Sequence, residues 1–230
     1  MSRNTYAIKI SLLIMLPLHV FGLGEPVPFV LLQKILPENP IILEAGAQFG
    51  EDTAWMSQFW PQGIIYAFEP SPISFMELEK VASHAHNVTA IPLALSDKKG
   101  SFAFYLAGGA SSLLKPQDSF NTDYFHADLN KPIIVDTITL DEWAQQNNVE
   151  KIDFMWLDME GNELNALKGS LSLLKKVKLI YTEVNLQRFW HDCVMYEELK
   201  TWLEEQGFVE IWQYIVPDWH GNVLFINTKL

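Results

Sequence analysis

The sequence predicts an α/β fold: a mostly parallel sheet whose last strand is reversed, with a small antiparallel β insertion. Three observations carry this. Short apolar runs alternate with amphipathic stretches of about a dozen residues, the pattern of βαβ units. Between 101 and 140 that rhythm breaks into alternating apolar and polar residues and then an Ile-, Val- and Thr-rich run. Finally, two apolar runs at the end of the chain are joined only by the turn from Pro217 to Asn222, which makes the last strand antiparallel.

The elements follow in order. Ile41–Ala45 is a short buried strand that closes into a glycine-bearing loop, and 51–60 reads as a helix with Glu51, Asp52 and Thr53 in its first turn. The next strand is 64–69, and Pro70-Ser71-Pro72 starts a helix that runs to about 83. A third strand covers 88–95, followed by a turn at 96–100. Strands at 101–106 and 131–140 flank a loose segment, 107–130. A short helix at 141–148, a strand at 152–158, a helix at 162–174 and a strand at 177–184 continue the alternation. Tyr196–Gln206 is helical with Gly207 as its stop, and 207–215 and 222–227 close the chain as strands.

Composition bounds the function. The 230 residues are 49% hydrophobic with 12 Gly and 12 Pro, which excludes disordered, collagen-like and linker classes. Lys and Arg number 16 against 28 Asp and Glu, a net charge of −12, with no basic run. Nucleic-acid backbones are held by clustered Lys and Arg, so no nucleic-acid partner is expected. The single cysteine, Cys193, excludes an internal disulfide, a zinc ribbon and a CxxC redox pair. At the N-terminus, Arg3 and Lys9 precede an uncharged apolar stretch, 10–24, that ends in Gly22 and Gly24. That is the layout of a signal peptide or anchor over 1–25, with membrane contact through 10–24 and the catalytic domain over 26–230. The alternative is a helix lying on the domain.

In a parallel sheet, ligands bind beyond the carboxyl ends of the strands. The first such end is Glu44-Ala45-Gly46-Ala47-Gln48-Phe49-Gly50. Its glycines allow a sharp turn and close backbone approach, but Gln48 and Glu51 occupy the remaining glycine positions of the dinucleotide fingerprint. Glu44, Glu51 and Asp52 would also face a pyrophosphate there, each contact at about 4 Å costing about 4 kcal/mol at an effective dielectric of 20. A zwitterionic sulfonium ligand such as S-adenosylmethionine meets no such repulsion. Glu69 ends the second strand at the spacing of an acid that accepts hydrogen bonds from ribose hydroxyls. The alternative role is a cap on the following helix. Asp158 and Glu160 follow the buried run Phe154-Met155-Trp156-Leu157, so their carboxylates must meet solvent, a ligand or a metal. Glu163 and Glu183 stand close in the pattern. One of these acids suits a general base. They could equally hold a divalent ion, but no His shares the cluster, and no metal is expected. His84 and His86 read as surface residues, His191, Asp192 and Cys193 as neighbours that do not converge, and Trp219-His220-Gly221-Asn222 as turn chemistry. Trp190, Trp219 and 111–130 suit a lid or an apolar wall, or plain packing.

From 42 to 227 the chain resembles the FkbM family of S-adenosylmethionine-dependent methyltransferases. Glu44 to Gly50 with Thr53 is similar to the family's D-x-G-A-N-x-G-x-x-T loop, and Phe68-Glu69-Pro70-Ser71-Pro72 with Phe75 and Leu78 to its FEPxP segment. Ala94-Leu95-Ser96-Asp97, Ser111-Ser112-Leu113, Thr139-Leu140-Asp141 and Asp158-Met159-Glu160-Gly161-Asn162-Glu163 recur in the family's order. The resemblance implies a Rossmann-like seven-stranded sheet with its last strand reversed and S-adenosyl-L-methionine as cofactor. It implies methionine-moiety contacts at Glu44, Gly46, Gln48, Gly50 and Thr53, ribose contacts at Glu69 and adenine contacts at Leu95 and Ser96. The implied acceptor is a hydroxyl of a sugar or other small natural product, with Asp158 or Glu160 as base. Glu44 and Gln48 each exceed the family's residue by a methylene, and Trp156 replaces a frequent Lys. The rival readings are a non-catalytic protein on the same fold and an NAD oxidoreductase. Cofactor supply argues for the cytoplasm, and the N-terminal segment for export or anchoring.

Overall fold

The structure, a computed structural model, describes residues 27–118 and 131–230. The expected signal or anchor segment and positions 119–130 of the loose segment lie outside the described residues. Among the described residues no helix is long and apolar enough to cross a membrane.

The first element is helix α1 (Phe29–Ile35), and β1 (Ile41–Ala45), α2 (Glu51–Phe59), β2 (Ile64–Phe68), α3 (Pro72–His84) and β3 (Val88–Ile91) form the first parallel half. Then come β4 (Ala94–Leu95), β5 (Gly100–Phe104) and β6 (Ile133–Ile138), followed by α4 (Leu140–Gln146), β7 (Ile152–Leu157), α5 (Glu163–Lys168) and β8 (Val177–Asn185). Helix α6 (Tyr196–Gln206) leads into β9 (Phe208–Ile215) and β10 (His220–Asn227). The main sheet has seven strands in the order β3-β2-β1-β7-β8-β10-β9. Strands β1, β2, β3, β7 and β8 pair in parallel, and β10 runs antiparallel to both β8 and β9. The reversed strand is thus the last in the chain but not the outermost in the sheet.

Strand β7, buried at all six positions, explains why the sheet carries helices on both faces. Leu43, Met155, Ile180 and Val184 pack beneath α4, α5 and α6. Ile42, Phe154, Trp156, Tyr181 and Leu224 face the other way, toward α1 and α2. Trp156, at the position of the family's frequent Lys, is buried there with its ring 4.5 Å from that of Tyr181.

Three boundaries differ from the sequence reading. The strand expected over 88–95 divides at Pro92, which has no N–H for a ladder. Its second part, β4, leaves the main sheet and pairs in parallel with β6, so the expected antiparallel insertion is a mixed three-stranded sheet, with β5 antiparallel on the other side of β6. The helix expected over 162–174 stops at Lys168 and resumes only as a 3₁₀ turn, Leu173–Lys176. Gly169 packs against Ser96, where a Cβ would stand 2.2 Å from the carbonyl oxygen. The final turn is tighter than expected, so His220 and Gly221 belong to β10.

Candidate active site

All five parallel carboxyl ends lie along one edge of the sheet, and a cleft opens there, where ligands of parallel sheets bind. Gly46, Gln48, Glu69, Leu95 and Asp158 line it, as do Met159, Asn162, Ser111 and the residues Gly108 and Gly109 of a short 3₁₀ turn. Phe68, Leu93, Ala94, Phe104 and Leu113 supply an apolar wall on the β4 side.

The loop after β1 is built to hug its neighbours. The Gly46 and Ala47 N–H groups both donate to the carbonyl of Phe68, at 3.1 and 3.0 Å. Gly46 has φ +90°, and a Cβ on it would stand 1.7 Å from the carbonyl oxygen of Asp158, so only glycine fits between β1 and β7. Gln48 is also left-handed, at φ 47°, which turns its N–H onto Glu69 Oε2 at 2.9 Å. Glu69 Oε1 accepts from the Ser71 N–H at 2.7 Å, while the cap of α3 is Ser71, not Glu69. Each Glu69 oxygen therefore takes one backbone donor and keeps lone-pair capacity toward the cleft. Burial pushes its carboxyl pKa up, and the two backbone N–H groups oppose that rise.

Glu44, Gly50 and Thr53 lie behind this loop and are not among the cleft-lining residues. Glu44 is 2% exposed, and its carboxylate accepts a hydrogen bond from the Thr53 hydroxyl. Burial raises its pKa to about 8, against the Thr53 hydrogen bond and reinforced by the negative fields of Asp52, Asp158 and Glu69. Gly50, at φ +82°, is the N-cap residue of α2. Ser96 is buried beside Leu95, and its carbonyl packs on Gly169.

The other end of the cleft is the β7–α5 loop. Asp158 is exposed at the strand end. Glu160 adopts φ 54° and Gly161 φ 91°, a double left-handed turn. Glu163, fully buried, holds that turn by accepting from the N–H groups of Met159 at 2.8 Å and Gly161 at 3.2 Å. Burial raises the Glu163 pKa to about 7. Glu160 is partly exposed as a residue, but its carboxyl packs among acids. Burial, then Glu183, Asp158 and Glu163, push its pKa well up, against a hydrogen bond from Trp190.

The family-like motifs between these ends are ties. Asn162 Nδ2 donates to the Leu95 carbonyl at 3.0 Å, binding the β7 loop to the β4 segment. The Ser112 hydroxyl donates to the Glu160 carbonyl at 2.9 Å. The Asp141 carboxylate accepts from the N–H groups of Ser172 and Leu173, both at 2.8 Å.

The structure decides between readings for several residues. Trp190 is fully buried with Ala107, Ala110 and Cys193, which is the packing alternative and not the lid. His220 is not turn chemistry: in β10 it lies with Nδ1 2.7 Å from Glu183 Oε1, so a histidine does adjoin the acids. No local pattern joins those two residues, 37 positions apart; only the antiparallel register does. His84 and His86 are surface residues bonded to backbone carbonyls, as expected.

Comparison with known proteins agrees with this architecture. The model of the methyltransferase FkbM domain matches residues 44–210. Among curated relatives, a 2-O-methyltransferase, NoeI of Sinorhizobium fredii, is 26% identical over 201 residues, 84% of this chain and 81% of its own. The hexuronic acid methyltransferase AglP of Haloferax volcanii is 26% identical over 164 residues, 70% of this chain and 63% of its own. Among solved structures, the fibrillarin pre-rRNA processing protein of Methanococcus jannaschii superposes with a TM-score of 0.52 at 18% identity, covering 84% of this chain and 68% of that one; this is a likeness of fold. Since the FkbM model spans most of the chain and both ends of the cleft, the protein belongs to the FkbM family of S-adenosylmethionine-dependent methyltransferases.

Proposed function

We propose that the protein methylates a hydroxyl group of a sugar or similar small polyol, and that residues 26–230 form the catalytic domain. The observation that carries this reading is the pairing, in one cleft, of a two-oxygen acceptor already aimed by backbone donors, Glu69, with an exposed carboxylate, Asp158, at the opposite end. The relatives active as a 2-O-methyltransferase and a hexuronic acid methyltransferase favour a sugar-type acceptor.

The residues fit the cofactor. Gly46 and Gln48 line the cleft beside Glu69, and Glu69 has lone pairs for two ribose hydroxyls. Leu95, with the apolar wall beside it, suits adenine, and Ser96 is buried next to it, outside the cleft lining. Gly46 and Gln48 frame the methionine end, with Glu44, Gly50 and Thr53 supporting the loop from behind. Bound S-adenosylmethionine supplies a methyl group on a positively charged sulfur, activated for in-line displacement. The protein then has to align the acceptor oxygen and receive its proton. In this reading Asp158, which lines the cleft, aligns the acceptor oxygen, and Asp158 or its neighbour Glu160 receives the proton.

The test is incubation with isotopically labelled S-adenosylmethionine and a panel of methyl glycosides that includes a methyl glucuronide. Label appearing in a glycoside, as an alkali-stable methyl ether, is the expected result. Alkali-labile label would point to ester formation on the carboxylate, and label in no glycoside but in another class of small molecule would refute the sugar assignment. The apolar segment 10–24 stands as a leader or anchor in this reading, and N-terminal sequencing of the expressed protein decides between them.

A further inference from the structure

Beside the cleft, the carboxyl ends of β7 and β8 bring three acids together. One carboxylate oxygen each from Asp158, Glu160 and Glu183 lies within 4.8 Å of the others. Like charges at that spacing repel strongly where water is partly excluded, and a cation among them relieves the repulsion. The geometry is specific on the β8 side. Residues i and i+2 of a strand share a face, and directly opposed residues of an antiparallel pair project together. Asn185 stands two positions beyond Glu183 and directly opposite His220. Glu183, Asn185 and His220 therefore point to the same side, and His220 Nδ1 touches Glu183 Oε1 at 2.7 Å.

Asn185 supplies the second, independent sign of a ligand. It is 2% exposed, and its Nδ2 is buried with no hydrogen-bond partner, a costly state for an amide donor unless something outside the chain completes it. An Asn amide turned one way offers Nδ2 to a cation-bound oxygen, and turned the other way offers Oδ1 to the cation itself. Glu163 adds another such atom under the same loop: its Oε1 is engaged, while its buried Oε2 has no partner.

We propose that Asp158, Glu160 and Glu183 bind a hard divalent cation of the Mg²⁺ or Mn²⁺ class, with Asn185 facing an oxygen in the cation's coordination sphere. The donor set is oxygen throughout, which suits these ions over the thiolate- and imidazole-seeking metals. His220, through Glu183, is a positioning residue of the kind that orients ligating carboxylates. Asp158 belongs to both the cleft and this cluster, so the cation sits on the acceptor side, where it would polarise an acceptor hydroxyl. That role rests on the hydroxyl-methylation reading above; the existence of the site does not.

The test uses the full chain and Mn²⁺ alone, followed by electron paramagnetic resonance and calorimetry, with Mg²⁺ as competitor. A single saturable equivalent is expected, displaced by Mg²⁺ and weakened at least about tenfold by Glu183→Gln and by Glu160→Gln separately. S-adenosylhomocysteine binding, measured in parallel, reports that each variant is folded, and Glu160→Gln decides if Glu183→Gln does not fold. No bound Mn²⁺ at about 1 mM, the weak end for oxygen-ligand sites, overturns the site, as does unchanged Mn²⁺ affinity in a folded variant. Intact Mn²⁺ binding with no S-adenosylhomocysteine binding by the wild-type protein would instead count against the methyltransferase cleft and leave the cation site standing.

Discussion

Glu44 offers a sharp test of the electrostatics beneath the loop that follows β1. Its carboxyl is buried with one hydroxyl donor, from Thr53, and its pKa rises from 4.5 to about 8. The folded state therefore binds this proton more tightly than the unfolded chain. For a group raised in this way, its stabilising contribution is full below the unfolded value of 4.5 and is lost as pH climbs through the folded value. At about 1.4 kcal/mol per unit, moving from about pH 5 to about pH 8.5 removes on the order of 4 kcal/mol from this group alone. Glu44→Gln keeps an oxygen for the Thr53 hydroxyl and carries no charge. Urea denaturation of both proteins at the two pH values isolates Glu44, because every other titrating group, Glu160 and Glu163 included, is common to both. The variant should lose less stability on going to the higher pH, by a few kcal/mol, and should be the more stable protein there. Equal losses in the two proteins would refute the claim that Glu44 is neutral in the folded state at neutral pH.

Three substitutions probe the cleft. Gly46→Ala forces a Cβ to within 1.7 Å of the Asp158 carbonyl at φ +90°, so it should cost at least about 2 kcal/mol of stability, read as a lower denaturation midpoint, and should abolish S-adenosylhomocysteine binding. Glu69→Ala should weaken that binding by at least about 1.5 kcal/mol, roughly tenfold by calorimetry, and unchanged affinity would remove Glu69 from the ribose. Asp158→Asn should leave the melting temperature and cofactor affinity near wild type but cut turnover at least about a hundredfold; full activity would take Asp158 out of the reaction.

What could be read from the sequence and what could not divides along physical lines. The β1 loop was legible because its demand is local: a chain that turns sharply at a strand end and leaves bare backbone for its neighbour must place glycine there, and Gly46 and Gly50 show it. Strand β7 was legible because burial on both faces leaves the apolar run from Phe154 to Leu157. The end of α5 was only partly legible: Lys168 and Gly169 are helix-stop residues, but an isolated glycine is also tolerated within a helical pattern. The carbonyl of Ser96, brought in from the β4 segment, fixes the close approach at Gly169. Pro92, by contrast, was a visible signal, and a stricter reading of a proline inside an apolar run would have split that strand.

The acid cluster shows the same division at the functional level. Asp158 and Glu160 could be read from the sequence because they end a buried strand within three residues of each other. The nature of their surroundings could not, because it is decided by the order β7-β8-β10. Placing the reversed last strand inside the sheet, between β8 and β9, sets His220 and Asn222 against the end of β8. Had that strand lain at the outer edge instead, β9 would border β8 and Glu183 would have no histidine beside it. The topology thus converts a row of acids at strand ends into a mixed cluster of carboxylates, an amide and an imidazole, and it is on this mixture next to the cleft that the proposed cation site rests.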